Sequence, residues 1–119
     1  QSVLDADDVL ALQELVRKVP ASEEVVQYAV SLVRRTRPDA AQAPDFVREY
    51  VSWGAGPRAS QYLILSGKAR ALLDGRLTVS TDDVTALAHI TLRHRLLTNF
   101  QAEAQDITSE DVIDELLKT

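Results

Sequence analysis

A chain of 119 residues, 45% hydrophobic and 26% charged, fits one globular domain with a single core. With no cysteine it can hold neither a disulfide framework nor a cysteine-based zinc site, and with aromatics at 5% its core has to come from Leu, Val, Ile and Ala. The excess of acids over bases leaves a net charge of −5, which opposes bulk binding to nucleic acid because that needs a basic surface.

No apolar run reaches membrane-spanning length, and the stretch near Tyr62–Leu65 is far too short. No basic-then-apolar leader opens the chain. Its abrupt start at Gln1-Ser2-Val3 reads as a cut within a longer protein, and the absence of cysteine suits a cytoplasmic location.

In chain order, Asp5 is the expected cap of a first helix, with Asp7 and Asp8 in its first turn, where acids oppose the positive helix end. Val9, Leu12, Val16 and Val19 recur at helical spacing, and Pro20 ends the run. Ser22 caps a second helix whose apolar face is Val25, Val26, Ala29, Leu32 and Val33. Arg34, Arg35 and Arg37 gather at its C-terminal end and Pro38 stops it. Residues 38–45 read as a loop, and Phe46 to Trp53 as a short extended piece or a single helical turn. Gly54-Ala55-Gly56 reads as a flexible connector, and Pro57 as the first residue of a third helix, where its fixed φ is favourable. That helix runs through Leu63, Ala69 and Leu72 to a glycine cap at Gly75, leaving Arg76 beyond its end and Arg76→Ala nearly silent. Ser80-Thr81-Asp82-Asp83 resembles a capping box, with Asp in place of Glu, ahead of Val84, Leu87, Ala88 and Leu92. Thr108-Ser109-Glu110-Asp111 opens a last helix through Ile113, Leu116 and Leu117, and residues 93–105 have no assignable state. The expected fold is all-α, a bundle of four to five helices with room for one short extended element.

The segment most informative about function is Trp53-Gly54-Ala55-Gly56-Pro57-Arg58-Ala59. Arg58 falls in a helix's first turn, where a cation is unfavourable by about 0.3–1 kcal/mol. An anion nearby would reverse that sign, since helix N-termini and the guanidinium fork both bind phosphate. The plain alternative is an exposed arginine that tolerates the penalty. Gly67-Lys68 does not make a phosphate loop: Tyr62 stands where its first glycine belongs and Ala69 where its Ser or Thr belongs. No acidic strand able to hold magnesium is evident, so the chain should not hydrolyse ATP alone. Arg93-His94-Arg95 reads as a solvated helix end, and His89 and His94, five apart, do not share a face as metal ligands would. No metal site is expected.

The segment resembles the sensor 2 motif of MoxR-type AAA+ ATPases, Gly-Ala-Ser-Pro-Arg-Ala, departing only at Gly56, where the motif has Ser. Gln13 to Pro20, Gly67-Lys68-Ala69-Arg70-Ala71 with Gly75-Arg76, Val79 to Val84, and Leu92-Arg93-His94-Arg95 resemble successive lid helices, so the likeness covers nearly all of residues 1–119 as a single C-terminal lid domain. The resemblance implies a fragment of a longer ATPase using ATP and magnesium, in which Arg58, with Gly54, Gly56 and Pro57 shaping the helix start, senses the γ-phosphate. It implies as partners the protein's own N-terminal AAA+ core, neighbouring subunits of a chaperone-like remodelling ring and a protein with a von Willebrand factor A domain. It implies neither nucleic-acid binding nor membrane insertion. Two rivals remain on the residues alone: a helical protein-interaction domain with no nucleotide role, and a nucleic-acid-binding helical domain using Arg34, Arg35 and Arg37, which the acidic balance opposes.

Overall fold

The computed structural model describes residues 6–118. Asp5, the expected first cap, lies outside them. The helices are α1 (Ala6–Lys18), α2 (Glu23–Arg35), α3 (Asp45–Tyr50), α4 (Arg58–Leu73), α5 (Thr81–Leu92), α6 (Phe100–Ala104) and α7 (Ser109–Lys118), with two short strands, β1 (Val51–Trp53) and β2 (Leu97–Thr98). The all-α class holds, with two short helices and a small antiparallel ribbon added. The stretch from Phe46 to Trp53 is both things it could have been: one helix of six residues followed directly by a strand. Part of residues 93–105, which carry no clear period, forms β2, paired antiparallel with β1 through Val51↔Thr98 and Trp53↔Leu97 across a register shift, and then α6.

Three helices make the centre. α4 packs chiefly on α5 and α2, α7 closes over α5, and α3 and α6 lie together at one end. The fully buried large side chains are Leu32 of α2, Leu63 of α4, Val84 and Leu92 of α5, and Ile113 and Leu116 of α7, with Val47 of α3 beside them. Each apolar side chain of this kind contributes about 1.5–3 kcal/mol on burial. Gly67 sits at the α4–α5 crossing, where an added Cβ would lie 3.1 Å from Val79 Cγ1. Lys68 donates to the Arg17 carbonyl at the end of α1, 3.2 Å away. Gly67-Lys68 is therefore a packing step and a helix-end contact.

α1 differs from the others. None of its residues is buried, and Val9, Leu10, Leu12 and Leu15 are exposed. It lies along α4, and Val9, Leu12 and Val16 face Leu65 and Ala69 across a groove of about 490 Å³. Its C-terminal link is fixed by a parallel bridge, Ala21↔Val79, and by Val79 N–H donating to the Pro20 carbonyl at 3.1 Å.

The caps are where the sequence puts them. Ser22 Oγ accepts from Val25 N–H at 3.3 Å. Thr108 Oγ1 accepts from Asp111 N–H at 3.2 Å while Asp111 accepts from Thr108 N–H at 2.9 Å. At the end of α4, Gly75 adopts φ +74, Arg76 N–H donates to the Ala71 carbonyl and Gly75 N–H to that of Leu72. This is the glycine-dependent helix ending in which a left-handed residue reverses the chain.

Arg76 is not a silent residue past a helix end. Its Nη1 and Nη2 donate to the two carboxylate oxygens of Asp83 at 2.8 and 2.5 Å, and Arg70 Nη1 donates to the same group at 2.6 Å. The Asp83 side chain has no solvent exposure, while the two arginines are 36% and 42% exposed. Asp83 also accepts from Ser80 N–H at 2.9 Å, serving as the acid of the α5 capping box. Adjacent Asp82 is exposed, so the cap spacing identified Asp83 while its burial between two arginines depended on the long-range fold.

The hydrogen bonds from Arg76, with those from Ser80 and Arg70, hold the Asp83 carboxyl well below the usual carboxylate range despite burial. The same pairing raises the Arg76 guanidinium further above its ordinary value. A depressed folded-state pKa stabilises the fold above the unfolded value of about 3.9, and that contribution disappears as pH falls through the folded value. The expected outcome is an acid limb of stability beginning below about pH 5, which Asp83→Asn flattens. Asp83→Ala should lower the unfolding free energy by about 2 kcal/mol, combining a lost cap bond with lost charged hydrogen bonds. Arg76→Ala should lower Tm clearly, and Arg34→Ala, at an exposed position on α2, should not. Urea unfolding across pH checks the Asp83 variants, and thermal unfolding the arginine variants.

Candidate functional site

The Gly54–Arg58 segment is built on Thr36, the buried residue that ends α2. Its hydroxyl donates to the Val33 carbonyl at 2.6 Å and accepts from Ala55 N–H at 3.0 Å. One side chain thus joins the end of α2 to the strand leaving β1. Gly54 lies against the same backbone: an added Cβ would run into the Thr36 carbonyl and come within 2.7 Å of Arg37 Cα. Ala55 is 1% exposed. The expected flexible connector is therefore a packed strap at Gly54 and Ala55, because the close approach of two backbones leaves no room for freedom there.

Gly56 is different. It is exposed, has no positive φ, and nothing lies within 4 Å of a Cβ placed on it. Pro57 follows with φ −56 and ψ −30, already helical, so α4 effectively starts one residue before Arg58, as the proline predicted. Ala59 N–H donates to the Gly56 carbonyl at 3.0 Å, and Ser60 Oγ closes on the Pro57 carbonyl at 2.7 Å. Ala59 is 1% exposed and anchors the turn in the core.

This anchoring leaves Arg58 exposed on the first turn of a 16-residue helix. No acid stands in that turn, and among the described residues Arg58 forms no ion pair. A guanidinium there carries five donors beside the positive end of the helix dipole. Beside the strap, Arg37, Asp39, Ser52, Trp53, Gly54 and Gly56 line an open groove of about 390 Å³, with Trp53 72% exposed. Arg58 is not among its lining residues. The arrangement can grip an anion.

The other candidates separate from this site. Arg95 lies 4.8 Å over the Tyr62 ring and donates to the Thr91 carbonyl, while Arg93 and His94 are exposed at the end of α5, so the basic cluster is a partly anchored helix end. His89 instead bridges helices, with Nε2 2.8 Å from Asp114 Oδ1 and Nδ1 3.3 Å from Glu110 Oε1. Glu110 and Asp114 are four apart on α7, a spacing that could have suggested a shared partner. Arg35 Nη1 reaches the Leu116 carbonyl at 3.4 Å, tying α2 to α7. Among the described residues no three His, Cys, Asp or Glu side chains gather to hold a metal, and no helix is long and apolar enough to cross a membrane.

A largely helical domain with a small antiparallel ribbon at one end has known relatives. The model of the AAA lid domain family matches residues 44–116, and the chain belongs to that family. Within it the chain is MoxR-like: it is 34% identical over all its 119 residues to the chaperone MoxR1 of Mycobacterium tuberculosis, covering 32% of that protein. It is 32% identical over 117 residues, 98% of this chain and 34% of the relative, to the uncharacterized protein YeaC of Bacillus subtilis. The crystal structure of a candidate ATPase from Cytophaga hutchinsonii superposes with a TM-score of 0.91 at 31% identity, covering 99% of this chain and 36% of that one. The chain spans about a third of the length of the relatives it matches.

The two glycines should respond oppositely to substitution. Gly54→Ala should cost about 1–3 kcal/mol, the usual range for forcing extra atoms into a packed site. Gly56→Ser, where nothing lies within 4 Å of an added Cβ, should be neutral or stabilising by a few tenths of a kcal/mol. Thermal unfolding of the two variants beside the parent measures both.

Proposed function

We propose that this domain is the nucleotide-sensing lid of a longer AAA+ ATPase, with Arg58 as the residue that meets the γ-phosphate of ATP. The observation that carries this reading is the exposed Arg58 at the start of a helix braced through Gly54 and Thr36. A cation held at the wrong end of a helix dipole gains most from an anionic ligand. Contacts formed with ATP and lost with ADP would bias the angle between lid and core by their difference in free energy. Gly54 and Pro57 fix where Arg58 points, and Gly56 adds little beyond tolerating the turn.

In this reading the lid packs beside its own N-terminal core, ATP lies between them in a ring of subunits, and the ring remodels client proteins in the cytoplasm together with a von Willebrand factor A domain partner. Magnesium would be held by the core, because no metal-ligand group exists among the described residues of the lid. Phosphate binding and hydrolysis need a cradle and a magnesium ligand set that Arg58 alone does not supply. The 119-residue chain should therefore read at background in a phosphate-release assay with ATP and magnesium, and calorimetry should find no micromolar affinity for ATP. Turnover by the purified chain would show that the hydrolytic machinery has been misplaced.

In the longer protein, Arg58→Ala should impair ATP hydrolysis or its coupling while the lid stays folded. Losing a charged hydrogen bond to phosphate costs about 1.5–3 kcal/mol, or roughly ten- to a hundredfold in rate. Arg58→Lys should restore only part, since an ammonium keeps the charge without the planar fork. Arg34→Ala is the control, because Arg76 is committed to Asp83. Parental hydrolysis and coupling in Arg58→Ala would leave the segment as a helix start and nothing more.

A further inference from the structure

A second surface lies away from Arg58, between α3 and α7. Phe46, Tyr50, Ile107 and Val112 line a groove of about 400 Å³. Asp111, Asp114 and Glu115 of α7 share its lining, against a single cation, Lys118. The aromatic and aliphatic members pack on the core from below, with Val112 buried and Phe46, Tyr50 and Ile107 half-buried. The groove is thus an apolar trough with an anionic rim.

The rim carboxylates make internal contacts that leave them acceptor capacity. Lys118 Nζ lies 3.4 Å from Glu115 Oε1, with the two side chains 71% and 55% exposed. An exposed pair of this kind contributes little to stability and exchanges readily for another partner. Asp111 accepts from Thr108, and Asp114 meets His89 at the outer edge of α7. An ionised carboxylate has about four acceptor sites, so both keep capacity.

Three other occupants meet an opposing interaction. A hydrated metal ion gains nothing from an apolar trough. Nucleic acid is repelled by three carboxylates. A second copy of the chain brings another net charge of −5 against this one. A lysine or arginine side chain satisfies both halves at once, with its aliphatic stem on the trough and its charged head at the rim. The rings of Phe46 and Tyr50 add an attraction for a cation placed over their faces. We infer that the α3–α7 groove docks a polypeptide segment of a partner protein that presents an arginine or lysine between apolar residues.

The test uses the 119-residue chain, isotope-labelled for NMR, titrated with a short amphipathic peptide of leucine and arginine. Peptide-induced shifts should map to Ile107, Val112 and Glu115. The affinity should weaken as salt rises from about 50 to about 500 mM, because rim charges are screened. Glu115→Lys should weaken binding about tenfold or more by placing a like charge at the rim. Glu115→Gln should give a smaller loss, and it carries the test should the lysine variant fail to fold. The same peptide with glutamate for arginine should not bind. Equal binding to Glu115→Lys and the parent, shifts confined to another surface, or equal binding of the glutamate peptide would overturn the inference. So would self-association of the chain that Glu115→Lys abolishes, since the groove would then be an interface between copies.

Discussion

The Asp83 carboxylate is the interaction on which the arrangement of the central helices depends. It is wholly buried, and a buried ionised acid is tolerated only when its charge and its acceptor sites are met. Arg76 and Arg70 meet the charge from one side and Ser80 N–H from another, so one group joins the end of α4, the turn after it and the start of α5. The left-handed Gly75 makes this geometry reachable by turning Arg76 back over the helix start. Gly67 lets α5 come close enough for its Val79 and Asp83 neighbourhood to pack on α4.

The opposite end of α4 is held by different means. There a hydroxyl, Thr36, and a backbone contact at Gly54 replace charge. The contrast suits the two ends: a buried charge pair at the Arg58 end would place a fixed partner within reach of the arginine, whereas a neutral clip leaves its electrostatics open. Burial of Ala55 and Ala59 on either side of an exposed Gly56-Pro57-Arg58 triplet gives the same result in packing terms. The strap is anchored at both margins and presents its middle.

What was legible in the sequence was local. Ser22, Ser80 and Thr108 are read as caps because a cap needs only a side chain three residues from its partner. Pro57 and Gly75 announce their turns for equally local reasons. The exposed helix start at Arg58 is local in the same way, set by Pro57 and the glycines before it. Features that depend on distant residues were not legible. β1 and β2 have three and two residues, too few for an alternation to register. Thr36 and Ala55 are nineteen positions apart and nothing in either residue announces the other. Arg76 was read by its position after a helix, which says nothing of the acid it grips. The spacing of His89 to His94, five residues on, says nothing of its actual neighbours, Glu110 and Asp114, which lie on another helix.

α4 is also a lever. Sixteen residues at about 1.5 Å each make a rigid rod of about 24 Å, with Arg58 at one end and the Gly75 turn at the other. Pivoted at the arginine, a rod of that length converts a tilt of about 5° into a displacement of about 2 Å at its tip, a shift of the size seen when helices slide at subunit interfaces. Because Asp83 binds the tip to α5, the two helices would swing as a pair and the motion would not be lost in a loose turn. Such a tilt would carry Leu73 and Leu77, 89% and 86% exposed, so small rotations at a polar end would be delivered as movement of an apolar one.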